Sequence, residues 1–159
     1  MQRNPITPNG KKKLEEELDR LIRQEREKIK SALAEARAMG DLSENAEYIA
    51  AKEKQSHVEG RIKDLQSKVA SLQVIDITTI KSESIVFGAT VKLYDVVKEI
   101  TVTYQIVGDD EAIPSEGKIA LGGPLAQALI GKKAGDTVIV RAPKGNIEYE
   151  IEHFTYQTA

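Results

Sequence analysis

The chain has 159 residues, of which 40% are hydrophobic, 30% charged and 4% aromatic, with no Trp and no Cys. The lack of Cys excludes a disulfide scaffold, a thiolate zinc site and a Cys nucleophile. The formal net charge is −2, and residues 1–75 carry 15 Lys and Arg against 13 Asp and Glu, so neither half has the strong positive charge of a protein that coats duplex DNA. The sequence has no run of 18 apolar residues and no apolar leader after Met1, so we expect a cytoplasmic protein with no membrane partner.

Residues 1–75 predict two long helices. Thr7-Pro8 is a helix start, because a hydroxyl cap precedes a proline at the first helical position. Apolar residues then recur at spacings of 3 and 4 until Met39-Gly40 breaks the pattern, and a second seam of the same kind follows. Two seams of similar length with a short connection predict an antiparallel coiled-coil hairpin that projects as an arm. The first seam comprises Leu14, Leu18, Leu21, Ile22, Ile29, Leu33 and Ala36, with a one-residue phase slip after Leu21, and the second comprises Ala51, Gln55, Val58, Ile62, Leu65, Val69 and Leu72.

The seam near the turn of this hairpin is rich in alanine. Alanine side chains bury little area, so we expect a thin and weakly stabilised tip that suits insertion into a narrow space. An ordinary tapering coiled coil accounts for the same pattern equally well. The alanines concerned are Ala32, Ala36, Ala46, Ala50 and Ala51.

From Ile75 onward the apolar period changes from helical spacing to 2, which predicts strands. A joint over residues 76–84 leads to a small antiparallel sheet domain over residues 85–159, with one short helix from Pro124 to Ile130. The predicted fold class is therefore α+β. The alternating runs are 89–94, 100–106 and 147–152, and turns are predicted at 108–110, 122–124 and 144–146.

Two acidic residues, Asp41 and Glu44, occur three positions apart at the predicted hairpin turn. This spacing is that of a capping box at the start of a helix, with Asp41 as the N-cap. The alternative is a pair of carboxylates offered to a divalent cation. Mg²⁺ takes about six oxygen ligands, so two exposed acids make at most half of a site, and a partner or substrate must supply the rest.

The sequence around these acids resembles the coiled-coil tip of the bacterial Gre transcript-cleavage factors. The resemblance runs from Glu35 to Tyr48 and includes Gly40-Asp41-Leu42-Ser43-Glu44-Asn45-Ala46-Glu47-Tyr48. Further matches in the order of the family are 59–62, 87–91, 106–112, 128–132 and 135–136, so the resemblance spans nearly the whole chain.

The resemblance implies a function for the whole chain. Its C-terminal domain is expected to be FKBP-like and to dock at the rim of the RNA polymerase secondary channel, through which the arm reaches the active centre. There Asp41 and Glu44 are expected to help hold a catalytic Mg²⁺ shared with the polymerase, which cleaves its own backtracked transcript. The family therefore implies an accessory factor that has no tightly bound cofactor, is not itself an enzyme and is active as a monomer.

Other residues take their expected roles from the same resemblance. Arg37 and Lys52 match a basic spot that faces the nascent RNA 3′ segment, although Arg37 also suits the end of a helix and Lys52 a solvated surface. Asn45 and Tyr48 belong to the tip motif, and for Tyr48 packing against the opposite helix competes with stacking on a base. The expected polymerase-docking residues are Asp109, Asp110 and Pro124, for which plain turn formation is the alternative, and Gly122-Gly123 replaces the Ser that commonly precedes this proline in the family.

Three other functions fit parts of the sequence. A peptidyl-prolyl isomerase requires an aromatic-lined pocket, which the few aromatic residues of 76–159 hardly provide. A Gre-like protein that occupies the channel and inhibits transcription is expected to have altered tip acids. A coiled-coil adaptor or chaperone is expected to have an apolar rather than acidic tip.

Overall fold

The computed structural model describes residues 4–40 and 45–156 of the chain. This described chain divides into two compact units. One unit, called the hairpin below, extends from Lys11 to Leu72. The other, called the C-terminal unit, combines the N-terminal residues up to Gly10 with the residues from Gln73 onward. The N-terminal segment therefore belongs to the same unit as the sheet, whereas the sequence pattern predicts it to be part of the arm.

The hairpin is built from helices α1 (Pro8–Arg20), α2 (Arg26–Ala38) and α3 (Ala46–Ala70), and a π-helical turn, Leu21–Glu25, joins α1 to α2. The Thr7 hydroxyl accepts the Gly10 N–H at 3.1 Å and so caps α1. The buried side chains of the seam are those of Leu14, Leu21, Ile29, Leu33, Ala36, Ala51, Val58, Ile62 and Leu65.

Ion pairs across the hairpin show that its two sides are antiparallel. Arg61 donates to both oxygens of Glu17, at 3.0 and 3.1 Å. Nearer the turn, Arg26 forms a fork with Glu59, with Nε–Oε1 at 2.8 Å and Nη2–Oε2 at 2.9 Å. From Glu17 to Arg26 the first side of the hairpin advances along the sequence, while the partner on α3 changes from Arg61 back to Glu59. The two sides therefore run in opposite directions. The hydrogen bond from Arg26 holds the pKa of the Glu59 carboxyl below its ordinary value.

The alanine-rich seam is only partly confirmed. Ala36 and Ala51 are buried between the helices, with 1% and 8% of their surface exposed. Ala32, Ala46 and Ala50 are exposed instead, because only one face of each helix meets the other.

The C-terminal unit contains a five-stranded sheet of strands β3 (Thr90–Asp95), β4 (Ile100–Val107), β5 (Lys118–Ala120), β6 (Thr137–Ala142) and β7 (Gly145–Thr155). These strands lie in the order β5-β4-β3-β7-β6. Neighbouring strands are antiparallel, as expected, except for the three-residue strand β5, which pairs parallel to β4 at one edge. One short helix, α4 (Pro124–Leu129), packs on the core that includes Val91, Leu93, Ile106 and Leu129. The expected α+β class is confirmed.

A separate two-stranded sheet forms from β1 (Asn4–Ile6) and β2 (Leu72–Val74). It continues into a hydrogen bond from the Ile75 N–H to the Ile6 carbonyl at 2.9 Å. Ile6 is 1% exposed, whereas Asn4 at the start of the strand is exposed. Two 3₁₀ turns, Ile77–Thr79 and Pro114–Glu116, complete the regular structure.

Candidate functional site at the end of the hairpin

The predicted metal-assisting acids, Asp41 and Glu44, lie outside the described residues. The structure describes the two helix ends on either side of them. Helix α2 ends at Ala38 with Met39 as its C-cap, and Gly40 follows with φ 115°, a left-handed conformation that glycine adopts without strain. Helix α3 begins at Ala46, and its N-cap is Asn45.

The side chain of Asn45 binds to both helices. Its Oδ1 accepts the N–H groups of Glu47 and Tyr48, at 3.0 and 3.1 Å, which are two of the donors that an α-helix leaves unpaired at its start. Its Nδ2 donates to the Ala36 carbonyl in the last turn of α2 at 2.7 Å. One amide therefore joins the end of α2 to the start of α3 and fixes where the segment between them leaves and re-enters the hairpin.

The capping role proposed for Asp41 belongs to Asn45 in the structure. The difference has a physical reason: an amide carries both an acceptor and donors, so Asn45 serves α3 and α2 at once, whereas an ionised carboxylate only accepts. The capping-box interpretation placed the start of α3 four residues too early. The sequence signal for the true cap was present, because Asn is among the preferred N-cap residues.

The predicted basic spot consists of Arg37 and Lys52. Arg37 is exposed in the last turn of α2, where a cation is favourable beside the helix C-terminus. Lys52 is exposed on α3, and its Nζ donates to Gln55 Oε1 at 3.3 Å. Each follows a buried alanine, Ala36 or Ala51. Both cations thus belong to the part of the hairpin closest to Asn45, and their contact with RNA stays a prediction.

Tyr48 lies in the first turn of α3 and is half-buried. Its N–H is one of the two groups that Asn45 caps. A half-buried ring leaves both interpretations of Tyr48, packing against the hairpin and stacking on a base, as predictions.

The predicted docking residues come together in part. The Asp109 carboxylate accepts the Gly122 N–H at 2.9 Å, which joins the turn after β4 to the turn before α4. Gly123 is the N-cap of α4 and Pro124 its first residue. Asp109, Asp110 and Pro124 are all exposed. Asp109 is therefore a turn-forming residue in this structure, and polymerase docking by this surface stays a prediction.

The described part of the chain offers no preformed metal site. Among residues 4–40 and 45–156, no three His, Asp or Glu side chains come together in a way that suits a metal ion. In the same residues, no helix is both long and apolar enough to span a membrane.

Comparison with known proteins decides the family. Residues 4–74 match the family model described as "Transcription elongation factor, N-terminal". Residues 80–156 match the one described as "Transcription elongation factor, GreA/GreB, C-term". The chain belongs to the GreA/GreB family of transcription elongation factors.

Relatives in the GreA/GreB family align with the chain over nearly its whole length. "Transcription elongation factor GreA" of Anaeromyxobacter sp. (strain K) is 54% identical over 156 residues, which cover 98% of this chain and 94% of the relative. The protein of the same name from Pseudomonas aeruginosa is 52% identical over 152 residues, covering 95% and 96%. A solved GreA/GreB structure from Nitrosomonas europaea is 19% identical, with a TM-score of 0.43 over 98% of this chain and all of that one. The family assignment rests on the sequence matches, because this TM-score is too low to add to it.

Proposed function

We propose that this member of the GreA/GreB family binds RNA polymerase, inserts its hairpin into the secondary channel and stimulates cleavage of backtracked RNA by the polymerase itself. The observation that carries the proposal is the join made by Asn45. It ties the two helix ends on either side of the segment that contains Asp41 and Glu44 in the sequence.

A pair of acids at the end of a hairpin suits assistance to a metal held by another molecule. Mg²⁺ is commonly bound through one or two carboxylates with phosphate oxygens and water completing its shell. In two-metal phosphoryl transfer the ions stabilise the attacking and leaving oxygens. Asp41 and Glu44 would add two carboxylates to an ion that the polymerase and the RNA phosphate already contact, and the protein alone would not hydrolyse RNA.

The exposed cations support an RNA partner for the same end of the hairpin. Arg37 and Lys52 would attract the phosphates of the displaced RNA 3′ segment, an interaction that weakens with added salt. The surface formed by Asp109, Asp110 and Pro124 would contact the polymerase. The proposed active form is a monomer in the cytoplasm.

The decisive experiment measures transcript cleavage in backtracked RNA polymerase complexes. The test variant is D41N/E44Q, and the matched control is E16Q/E27Q, which neutralises two exposed acids of α1 and α2 that precede the tip motif by eight or more residues. We expect the unmodified protein and the control to stimulate cleavage. With D41N/E44Q the rate of transcript cleavage should be lower by about 100-fold or more, which is the effect of removing a preorganised electrostatic group.

Polymerase binding, measured separately, should be equal for all three proteins. If both the unmodified protein and the tip variant bind and neither stimulates cleavage, the protein is a Gre-like channel-binding inhibitor. If the purified protein degrades free RNA in Mg²⁺ and D41N abolishes that activity, the accessory role is wrong.

A further inference from the structure

The five-stranded sheet of the C-terminal unit has one short edge and one long edge. Strand β5, at the first edge, has three residues. Strand β6, at the other edge, has six residues and pairs with β7 without a break in register. Proteins commonly protect an edge with a very short strand, a bulge or a proline, because unpaired N–H and C=O groups can bind another strand. The β5 edge has such protection, whereas β6 has neither a bulge nor a proline.

Strand β6 has apolar side chains on both of its faces. Val138 and Val140 are buried in the core. Thr137, Ile139 and Arg141 are exposed on the opposite face, called the open face below. Ile139, near the centre of the strand, is 60% exposed. A long apolar strand at the edge of a sheet is the kind of segment that pairs with a further strand.

The open face carries opposite charges on the two sides of Ile139. Arg141 lies two residues beyond Ile139 on β6. Glu150 lies on β7 opposite Thr137, which precedes Ile139 by two residues. Both charged side chains are exposed, and within residues 4–40 and 45–156 neither forms an ion pair. This arrangement is self-complementary, because turning the strand around places the cation of one copy on the side where the other copy has its anion.

We propose that two copies of the free protein bind each other by antiparallel pairing of their β6 strands, with the two Ile139 side chains opposite each other. In this register Arg141 of each copy lies opposite Thr137 of the other, and Glu150 follows on the next strand of the same face. The backbone positions of Arg141 and Glu150 are then two strand spacings apart, about 10 Å. A long arginine and a glutamate span that distance together across the short threonine. Both copies make the same contacts, as in an interface with two-fold symmetry.

The proposed pairing does not use the predicted docking residues. Asp109 and Asp110 precede β5 and Pro124 follows it, so they belong to the other side of the sheet from β6. The inference concerns the free protein and does not depend on the proposed function, in which the form that acts on the polymerase is the monomer.

Sedimentation of the full chain without polymerase tests the association. We expect a monomer–dimer equilibrium in the micromolar range, measured up to about 0.5 mM, because six residues from each copy make a small interface. I139K places a charge at the centre of the strand, as natural edge strands do, and should raise the dissociation constant about 10-fold or more. The matched control is V97K, which makes the same kind of change at an exposed valine in the turn between β3 and β4 and should have no effect.

Charge reversal tests the register. R141E and E150R should each raise the dissociation constant about 5- to 30-fold, since two-fold symmetry replaces two exposed ion pairs by two repulsive contacts. The double variant R141E/E150R forms both pairs with their signs exchanged and should restore dimerisation. K98E changes the net charge as R141E does, at an exposed position of the turn between β3 and β4, and should leave dimerisation unchanged.

Hydrogen exchange distinguishes pairing of the strands from contact between side chains alone. Alternate residues of an antiparallel strand bond to the neighbour on each side. Raising the protein concentration should therefore protect the alternate amides of β6 that face away from β7, and should leave those of β4 unchanged. Circular dichroism first establishes that each variant is folded.

A dimer that R141E weakens and R141E/E150R restores, with concentration-dependent protection of β6, supports the proposal even if I139K fails to fold. A protein that stays monomeric over the whole concentration range overturns it. A dimer that neither folded I139K nor the single charge variants weaken uses another surface, and that result also overturns the proposal.

Discussion

At the scale of single residues, Asn45 determines how the hairpin ends. Its amide satisfies two N–H groups of α3 and one carbonyl of α2. We expect N45A to lower the free energy of unfolding by about 2 kcal/mol, roughly half from the lost helix cap and half from the lost bond to Ala36. Urea unfolding of the two proteins measures this difference.

N45D separates the two contributions, because an aspartate keeps the acceptor for Glu47 and Tyr48 but loses the donor to Ala36. Its stability should therefore lie between those of N45A and the unmodified protein. Equal stability of N45D and the unmodified protein would show that the bond between the helices contributes nothing.

Gly10 offers a test of close packing around Glu111, whose carboxylate accepts the Thr7 N–H. In an exposed helix, Gly→Ala stabilises by about 1 kcal/mol through backbone propensity alone. Here the new Cβ would meet the Glu111 carboxylate, so we expect G10A to destabilise the protein. In the E111A background the space is vacant, and G10A should stabilise instead. A double-mutant cycle followed by urea unfolding detects this reversal of sign, and additive effects would show that the two residues do not interact.

At the scale of elements, the π-helical turn accounts for the slip in the leucine pattern. Leu14 and Leu21 are seven residues apart, but Leu21 and Ile29 are eight apart, and all three are buried. A turn with one extra residue between Leu21 and Glu25 returns the second half of the seam to the same face.

The π turn predicts that the two halves of the seam respond differently to deletion of one exposed residue. Deleting Arg23 restores a spacing of seven between Leu21 and Ile29, so the π turn becomes regular helix. The free energy of unfolding should change by less than about 1 kcal/mol, since Arg23 itself forms an exposed ion pair with Asp19. Deleting Lys30, in regular helix, rotates Leu33 and Ala36 by about 100° away from α3. The free energy of unfolding of that variant should fall by about 3 kcal/mol or more, since Leu33 becomes exposed. Equal losses in thermal or urea unfolding would contradict this account of the turn.

The elements differ in how far the sequence could predict them. The slip after Leu21 located the extra residue, but periodicity reports which side chains share a face and not which backbone groups pair. The short strand β5 has three residues, too few for an alternating pattern. Strand β6 reads Val138-Ile139-Val140 without alternation, because Ile139 is apolar although 60% exposed. Thr7, the partner of Glu111, lies 104 positions away from it, and no local pattern signals a contact of that range.

At the scale of the whole molecule, the N-terminal segment belongs to a unit formed mainly by the other end of the chain. Strand β1 pairs with β2, Ile6 is buried, and Thr7 is bound by Glu111. The sequence alone predicts these residues to be part of the arm, because Thr7 and Pro8 identify a helix start. Such a signal says where a helix begins but not which unit its first turn joins.

This arrangement predicts where removal of residues 1–7 has its effect. The deletion leaves β2 without its strand partner and Glu111 without Thr7, while the buried seam of α3 keeps its contacts with α2. In hydrogen exchange we therefore expect protection to fall at residues 72–75 and 108–111 and to stay unchanged at 58–65. Ile6→Ala keeps the Thr7 bonds but lowers the free energy of unfolding by about 2–5 kcal/mol, because a buried side chain is lost. It should lower protection at the same residues to a smaller extent. Equal loss at 58–65 would mean that the N-terminal segment stabilises the hairpin directly. Loss confined to 72–75 and 108–111 would mean that the N-terminal segment stabilises only its strand partner β2 and the loop that contains Glu111.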